Sequence, residues 1–404
     1  MIVSSRYTPR DIMPFLRYVP PMGIYETLYA FLRSFGRPMG DPGTHPWSQG
    51  FPRTAQLPGG PPLPDTIRVA PDDLKYPKAW GLPSLREAIA EYYRTHYGAA
   101  ITAENVMVFA GGRQALIAIL LLLDRDIVVR VAETEYTPYY DMLERLERSW
   151  TIVPSHVGNS FTPSVKDYTD APAGSRSLVL LSNPCNPTGI TRRGPDLKAL
   201  VDAASSADTG LLIDEAYELF QDRPESALQH VKDIDSSNLF VAGAATKGLQ
   251  APGIRIGWVV ASKANIEILG NFSSFGMGGV SHPSQRYALE LLAPDRVVKA
   301  RAAVPAFYRS QRDRYGRAFA DLGLELHTGD GGFYHWCRLP GGLTADELNR
   351  RLFAEGAAIL KGTDCDMARR GDTSPLRDFF RFSFGPLAPE SFESDVAILA
   401  RALR

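Results

Sequence analysis

Seven short apolar runs succeed one another between residues 106 and 261, and they constrain the fold more than anything else in the chain. They read VMVFA (106–110), IVVRVA (127–132), TIVPSHV (151–157), SLVLLS (177–182), GLLIDEA (210–216), LFVAGAA (239–245) and RIGWVVA (255–261). Most are apolar without interruption rather than alternating, the pattern of strands covered on both faces. Helical stretches such as DLKALVDAAS (196–205) lie between them, so the pattern predicts an α/β fold around a mostly parallel seven-stranded sheet sandwiched by helices. The greasiest run, ALIAILLLL (115–123), is too short to span a bilayer and predicts a buried helix.

Outside this block the pattern changes. SLREAIAEYYRTHYG (84–98) places Ser84 and Glu87 at capping-box spacing ahead of Leu85, Ile89 and Tyr92 at helical period. After residue 294 a long charged helix to about residue 322 is followed by GGFYHWCRLP, a helical TADELNRRLFAEG, AAILKG and DFFRFSFG. The first 50 residues are rich in Pro, Gly and aromatics, with an amphipathic helix near 25–34. The expected division is an N-terminal arm with part of a small domain (1–50), a large domain (51–290) and a small α+β C-terminal domain (291–404), the small domain being built from both chain ends.

Composition narrows the function classes. Lys plus Arg number 44 against 45 Asp plus Glu, and no long basic tract gives nucleic acid or an anionic membrane a footing. Three cysteines (Cys185, Cys337, Cys365) form no CxxC pair or metal-ligand cluster, and the N-terminus has no apolar core of signal-peptide length. A reduced, cytoplasmic protein is expected.

Four motifs fall at predicted strand ends, where open α/β sheets bind ligands. FAGGRQAL (109–116) joins a strand to a helix start, which suits a phosphate or simply a tight turn. SNPCNPTG (182–189) makes a rigid loop carrying Asn186, or a plain Asn-Pro turn. IDEAY (213–217) ends an apolar strand in Asp214, whose burial requires a cationic or donor partner. AATKGLQAPGIRIGW (244–258) sets Lys247 just past a buried strand and Arg255 eight positions on, where an unpaired ammonium is costly.

In this order and at these separations, SNPCNPTG, IDEAY and TKGLQAPGIRIGW resemble the class I/II aminotransferases, the fold-type I pyridoxal-phosphate enzymes. WSQGFP, YPKAWGLPSLREAI, AGGRQAL, EYTPYY, GGFYHWCRLP and FFRFSFG fall where that family has equivalents, so the resemblance runs from about Trp47 to the C-terminus. It implies pyridoxal 5′-phosphate as cofactor and Lys247 as the amine that forms the Schiff base with its aldehyde and then moves the proton between Cα and C4′. Asp214 would pair with the pyridinium nitrogen, Asn186 and Tyr217 would bond the ring 3′ oxygen, and Tyr136 would stack on the ring. Backbone groups at Gly112 and Arg113 and the Arg255 guanidinium would hold the phosphate, with Thr246 or Ser281 supplying a hydroxyl because Ala244 stands where many relatives carry serine. Tyr76 would reach that phosphate from the second subunit of a homodimer. Arg381 would grip the substrate α-carboxylate near the Gly50 backbone.

The expected activity is transfer of an amino group between an L-amino acid and a 2-oxo acid through Cα-proton abstraction. SSFGMGGVSHPSQ (273–285) lacks the side-chain-binding arginine of dicarboxylate-specific relatives, so aspartate is not the expected donor. Lys361 and Arg113 depart from the family pattern and read as surface cations, or as partners of a polar substrate side chain. The same catalytic core serves elimination, cyclisation or oxidation, which stands as the alternative. A non-catalytic ligand-binding regulator is a third reading, opposed by the joint presence of Lys247, Asp214, Arg255 and Arg381.

Overall fold

The computed structural model describes Leu16, Val19, Pro21, residues 23–172 and residues 174–404. The arm expected over residues 1–50 therefore falls partly outside the described residues.

All seven apolar runs form strands of one sheet: β1 (Val106–Phe109), β2 (Val128–Ala132), β3 (Trp150–Val153), β4 (Ser177–Ser182), β5 (Thr209–Asp214), β6 (Leu239–Ala244) and β7 (Gly257–Val260). Their order is β1-β7-β6-β5-β4-β2-β3. The β2/β3, β2/β4, β4/β5 and β5/β6 pairs are parallel, and β7 runs antiparallel to both β1 and β6. Successive residues alternate between the two faces. Met107 and Phe109 join the cluster of Leu116, Tyr139 and Ile266, whereas Val106 and Val108 join that of Leu85, Ile89 and Leu200. Both faces are thus covered, and only the edge strand β3 exposes its middle residues, Thr151 and Ile152. The all-apolar run at 115–123 lies in the helix Gly112–Leu122, packed against β6 and β7.

One expected detail fails. The helix Pro83–Tyr97 starts at Pro83 with Leu82 as its N-cap and no side-chain cap, so Ser84 and Glu87 form no capping box. Proline at the first helical position fixes the N-cap two residues earlier, at Leu82, and Glu87 instead pairs with Arg94 at 2.6 Å.

The small unit carries an antiparallel sheet of β8 (Glu325–Leu326), β9 (Tyr334–Arg338), β10 (Leu360–Lys361) and β11 (Phe379–Ser383), ordered β10-β11-β9-β8. Both chain ends contribute to it. The helix Ile24–Phe35 packs Phe31 against Phe353 with ring centroids 5.7 Å apart. His45 bridges to Ala357, and the Trp47 carbonyl accepts the Ser383 N–H at 2.7 Å. This packing lays residues 47–50 beside β11 and over the ends of the large sheet. No helix among the described residues is long and apolar enough to cross a membrane.

Candidate active site

Each motif delivers its polar groups from the end of a strand. After β1 the chain turns through Gly111, φ 98°, into the helix Gly112–Leu122. A Cβ on Gly111 would collide with the Arg255 guanidinium, so glycine here permits both the left-handed backbone and the close approach of the cation. The N–H groups of Gly112 and Arg113 open that helix and, with Arg255, form a corner suited to an anion. Arg255 itself adopts φ 55° and donates from Nη1 to the Pro252 carbonyl at 2.8 Å.

Lys247 answers the question of its partner. Its Nζ donates to the Gly50 carbonyl and lies 5.4 Å from the Tyr217 ring centroid and 5.8 Å from that of Phe333. Burial pushes its ammonium down to about 7, and the Arg381, Arg113 and Arg255 cations add to that against the opposing pull of Asp214. An amine poised near neutrality between two rings and a carbonyl is equipped to take and return a proton. Asp214 ends β5, accepting from the Tyr139 hydroxyl at 3.3 Å and from the Ala216 N–H at 3.0 Å. Burial raises its carboxyl above the ordinary range, opposed by those hydrogen bonds and by Lys247 and Arg113.

Arg381, on β11, is 4% exposed. It donates to the Asn186 side-chain oxygen at 2.8 Å and the Ser48 carbonyl at 2.7 Å, and its guanidinium lies 4.2 Å from the Tyr334 ring centroid. Its Nε is buried with no hydrogen-bond partner among the described residues. A buried guanidinium held by neutral groups, with a donor to spare, has the chemistry to accept a carboxylate.

Gly50, Gly112, Arg113, Tyr136, Asn186, Asp214, Tyr217, Thr246, Lys247 and Arg255 all line one cavity of about 310 Å³. Arg381 lines an adjoining cavity of about 90 Å³ that shares Lys247, Tyr217, Asn186 and Arg113 with the first. Tyr76 stands apart, 96% exposed and on neither cavity. Ser281, one candidate for the missing hydroxyl, instead caps the helix His282–Leu291 by accepting from Ser284 N–H; Thr246 lines the cavity.

The two departures separate. Arg113 is exposed, as a surface cation would be, yet it lines both cavities and its Nε donates to the Tyr136 hydroxyl at 2.9 Å. Lys361 lines neither and pairs with Asp346 (3.1 Å) and Glu26 (3.3 Å). Two further residues escaped the sequence reading. Tyr334, within GGFYHWCRLP, shares a 2.5 Å hydroxyl contact with Tyr217 and stacks on Arg381. Tyr139, within EYTPYY, reaches Asp214. Both lay inside recognised motifs, but nothing local distinguishes them from core tyrosines.

A family profile described as aminotransferase class I and II matches residues 47–391. The chain is 25% identical to an aspartate aminotransferase of Pyrococcus horikoshii, over 69% of this chain and 72% of that one. It is 27% identical to a valine–pyruvate aminotransferase of Mycobacterium tuberculosis, over 80% and 84%. Its fold is that of a tetra mutant of Thermus thermophilus aspartate aminotransferase complexed with tryptophan, with a TM-score of 0.81, 22% identity and coverage of 97% and 100%.

Members of that family use pyridoxal 5′-phosphate, and the residues here fit it. A cavity of about 310 Å³ offers an anion-binding corner at Gly112 and Arg255, a buried carboxylate at Asp214 for a ring nitrogen and an amine at Lys247 for an aldehyde.

Proposed function

The chain belongs to the aminotransferase class I and II family, and from that premise we propose that it moves an amino group between an L-amino acid other than aspartate and a 2-oxo acid, with Lys247 as the base acting at Cα. The observation that carries this reading is the Lys247 amine, bonded to the Gly50 carbonyl beside the Tyr217 and Phe333 rings and lining both the cavity that holds Asp214 and the adjoining one that holds Arg381. When bound, pyridoxal phosphate supplies an aldehyde for amine condensation and a ring that accepts electron density.

The roles proposed for this chain's residues are those the family resemblance implies, and their shared cavities support them. Gly112 N–H, Arg113 N–H, Thr246 and Arg255 hold the phosphate. Asp214, steadied by Tyr139 and the Ala216 N–H, would face a ring nitrogen and favour the protonated ring. Asn186 and Tyr217 donate toward the ring 3′ oxygen, and Tyr136 covers one ring face. Arg381 draws the substrate carboxylate against Asn186 and Gly50, which presents Cα–H to Lys247. The neutral amine would take that proton onto Nζ and hold it for return to the cofactor carbon C4′, and the aromatic walls of Tyr217 and Phe333 limit water around it.

Residues 273–285 contribute no arginine, and the next one, Arg286, is committed to Asp73 at 3.1 Å. This supports a donor other than aspartate. Arg113 favours a second reading of one substrate, since its guanidinium, tied through Nε to the Tyr136 hydroxyl, stands at the junction of the two cavities and would meet an anionic group on a substrate side chain. We further propose a homodimer in which Tyr76 serves the partner's site, and a functional division at about residues 50 and 290.

The test is to incubate the holoenzyme with ¹⁵N-labelled amino acids and several 2-oxo acids and to follow label in the new amino acid. Transfer from an aromatic or neutral donor, abolished by Lys247→Ala, is expected. A clear preference for aspartate would overturn the donor assignment, and ammonia released without transfer would favour elimination or oxidation at the same site.

A further inference from the structure

Glu135 precedes Tyr136 at the end of the chain segment leaving β2 and is 2% exposed. Its Oε1 accepts the Ser182 N–H at 2.8 Å. Its Oε2 takes the Tyr136 N–H at 2.7 Å and the Ser182 hydroxyl at 2.8 Å. The Ser182 oxygen in turn accepts the Asn186 N–H at 3.0 Å. Ser182 also pairs with Asp214 in the β4/β5 register, so the group lies directly behind the strand end that carries Asp214. One buried carboxyl group is therefore tied to the residue on one flank of the large cavity and, through a single hydroxyl, to the loop on the other. That loop's Asn186 side chain then holds Arg381.

Burying a carboxyl group is costly unless its hydrogen bonds are satisfied, and here three donors satisfy it. Those donors belong to the two segments that frame the site, where an apolar residue would leave the Tyr136 and Ser182 N–H groups unpaired.

We infer that Glu135 is a positioning residue that clamps Tyr136 and, through Ser182, Asn186 and Arg381 into one rigid frame around the cofactor and carboxylate subsites. The inference rests on the proposed function for the identity of what is framed, but the clamp itself stands on the hydrogen bonds. Glutamine at position 135 has the same shape yet offers one acceptor oxygen in place of two, so at least one of the three donors would face an NH2 group.

The experiment compares the holoenzymes and apoproteins of wild type, Glu135→Gln, Ser182→Ala and the double variant. Glu135→Gln is expected to weaken pyridoxal phosphate binding to the apoprotein about tenfold, measured by fluorescence titration, and to raise the amino-acid KM by about tenfold with a smaller change in kcat. Ser182→Ala keeps the link to Tyr136 and is expected to raise the KM while leaving cofactor affinity within about twofold. Effects in the double variant should fall short of the product of the singles, because both act through one link. Glu135→Gln with unchanged cofactor affinity and KM, or with a lowered melting temperature as its whole effect, overturns the inference. If Glu135→Gln does not fold, Ser182→Ala with an unchanged KM overturns it. Should the wild type transfer no amino group to any acceptor, the proposed function fails while the cofactor titrations still decide the clamp.

Discussion

Lys247 carries the strongest physical statement at the scale of single residues. Its amine is near 7 in the folded chain against an ordinary 10.5, so its contribution to stability is full above about pH 10.5 and is lost as pH falls through about 7. Lys247→Met removes the charge at similar volume. The melting temperature of the apoprotein should therefore drop more steeply from pH 10 to pH 7 in the wild type than in this variant, and parallel curves would refute the depressed amine. Glu215 runs the other way: burial brings its carboxyl up to about 8, so its contribution is full below about 4.5 and is lost as pH rises through 8. Asp214→Asn keeps the shape but removes the charge facing the ring nitrogen. It should cost on the order of 10²–10³ in kcat with the cofactor still bound, and an unchanged kcat would remove Asp214 from its proposed role. Arg113 shows where residue-level reading stopped. Its number and motif were plain, but whether its side chain turned to solvent or to Tyr136 depended on a hydroxyl 23 residues away.

Elements show which local signals are sufficient. The S/T-x-x-E spacing at Thr344 caps its helix, with Thr344 Oγ accepting the Glu347 N–H at 3.3 Å and Glu347 accepting the Thr344 N–H at 2.9 Å. The same spacing at Ser84 does not, because Pro83 takes the first helical position and leaves Ser84 inside the first turn. Strands β1 to β7 were legible because short apolar runs rich in Val, Ile and Leu recur between helical stretches, the pattern of strands covered on both faces. The turn between β1 and its helix is equally determined. Gly111→Ala places a side chain at φ 98° and against the Arg255 guanidinium. It should cost about 1 kcal/mol or more in denaturant unfolding and weaken cofactor binding by displacing Arg255. Unchanged cofactor affinity would show that Arg255 does not hold the phosphate.

The whole molecule assembles its site from distant chain. Arg381 meets an asparagine 195 positions away, and Lys247 a carbonyl 197 positions away. Asp395 shows how such contacts are steadied: its carboxylate accepts from His45 (2.7 Å), Trp47 (3.1 Å) and Tyr315 (2.7 Å), anchoring the segment that brings Ser48 and Gly50 to the site. Tyr76, exposed and away from its own cavities, belongs to the proposed dimer. Tyr76→Ala and Lys247→Ala should each be deficient alone. Mixed after unfolding and refolding, they should regain activity, because the hybrid rebuilds one complete site from two chains. No regain at any mixing ratio would place Tyr76 outside the partner's site.

By itself the sequence determined the seven strands, their order along the chain, the polar residues at their ends and the family they resemble, because apolar runs, glycine turns and motif spacing act over a few residues. The tertiary structure decided the spatial order β1-β7-β6-β5-β4-β2-β3, the reversed β7, the contact of Arg113 with Tyr136, the pairing of Lys361 and the hydrogen-bond partners of Tyr334, Tyr139 and Glu135. Those depend on which side chains meet across long loops. No local pattern encodes that meeting, because a buried tyrosine or glutamate looks the same in sequence whatever it faces.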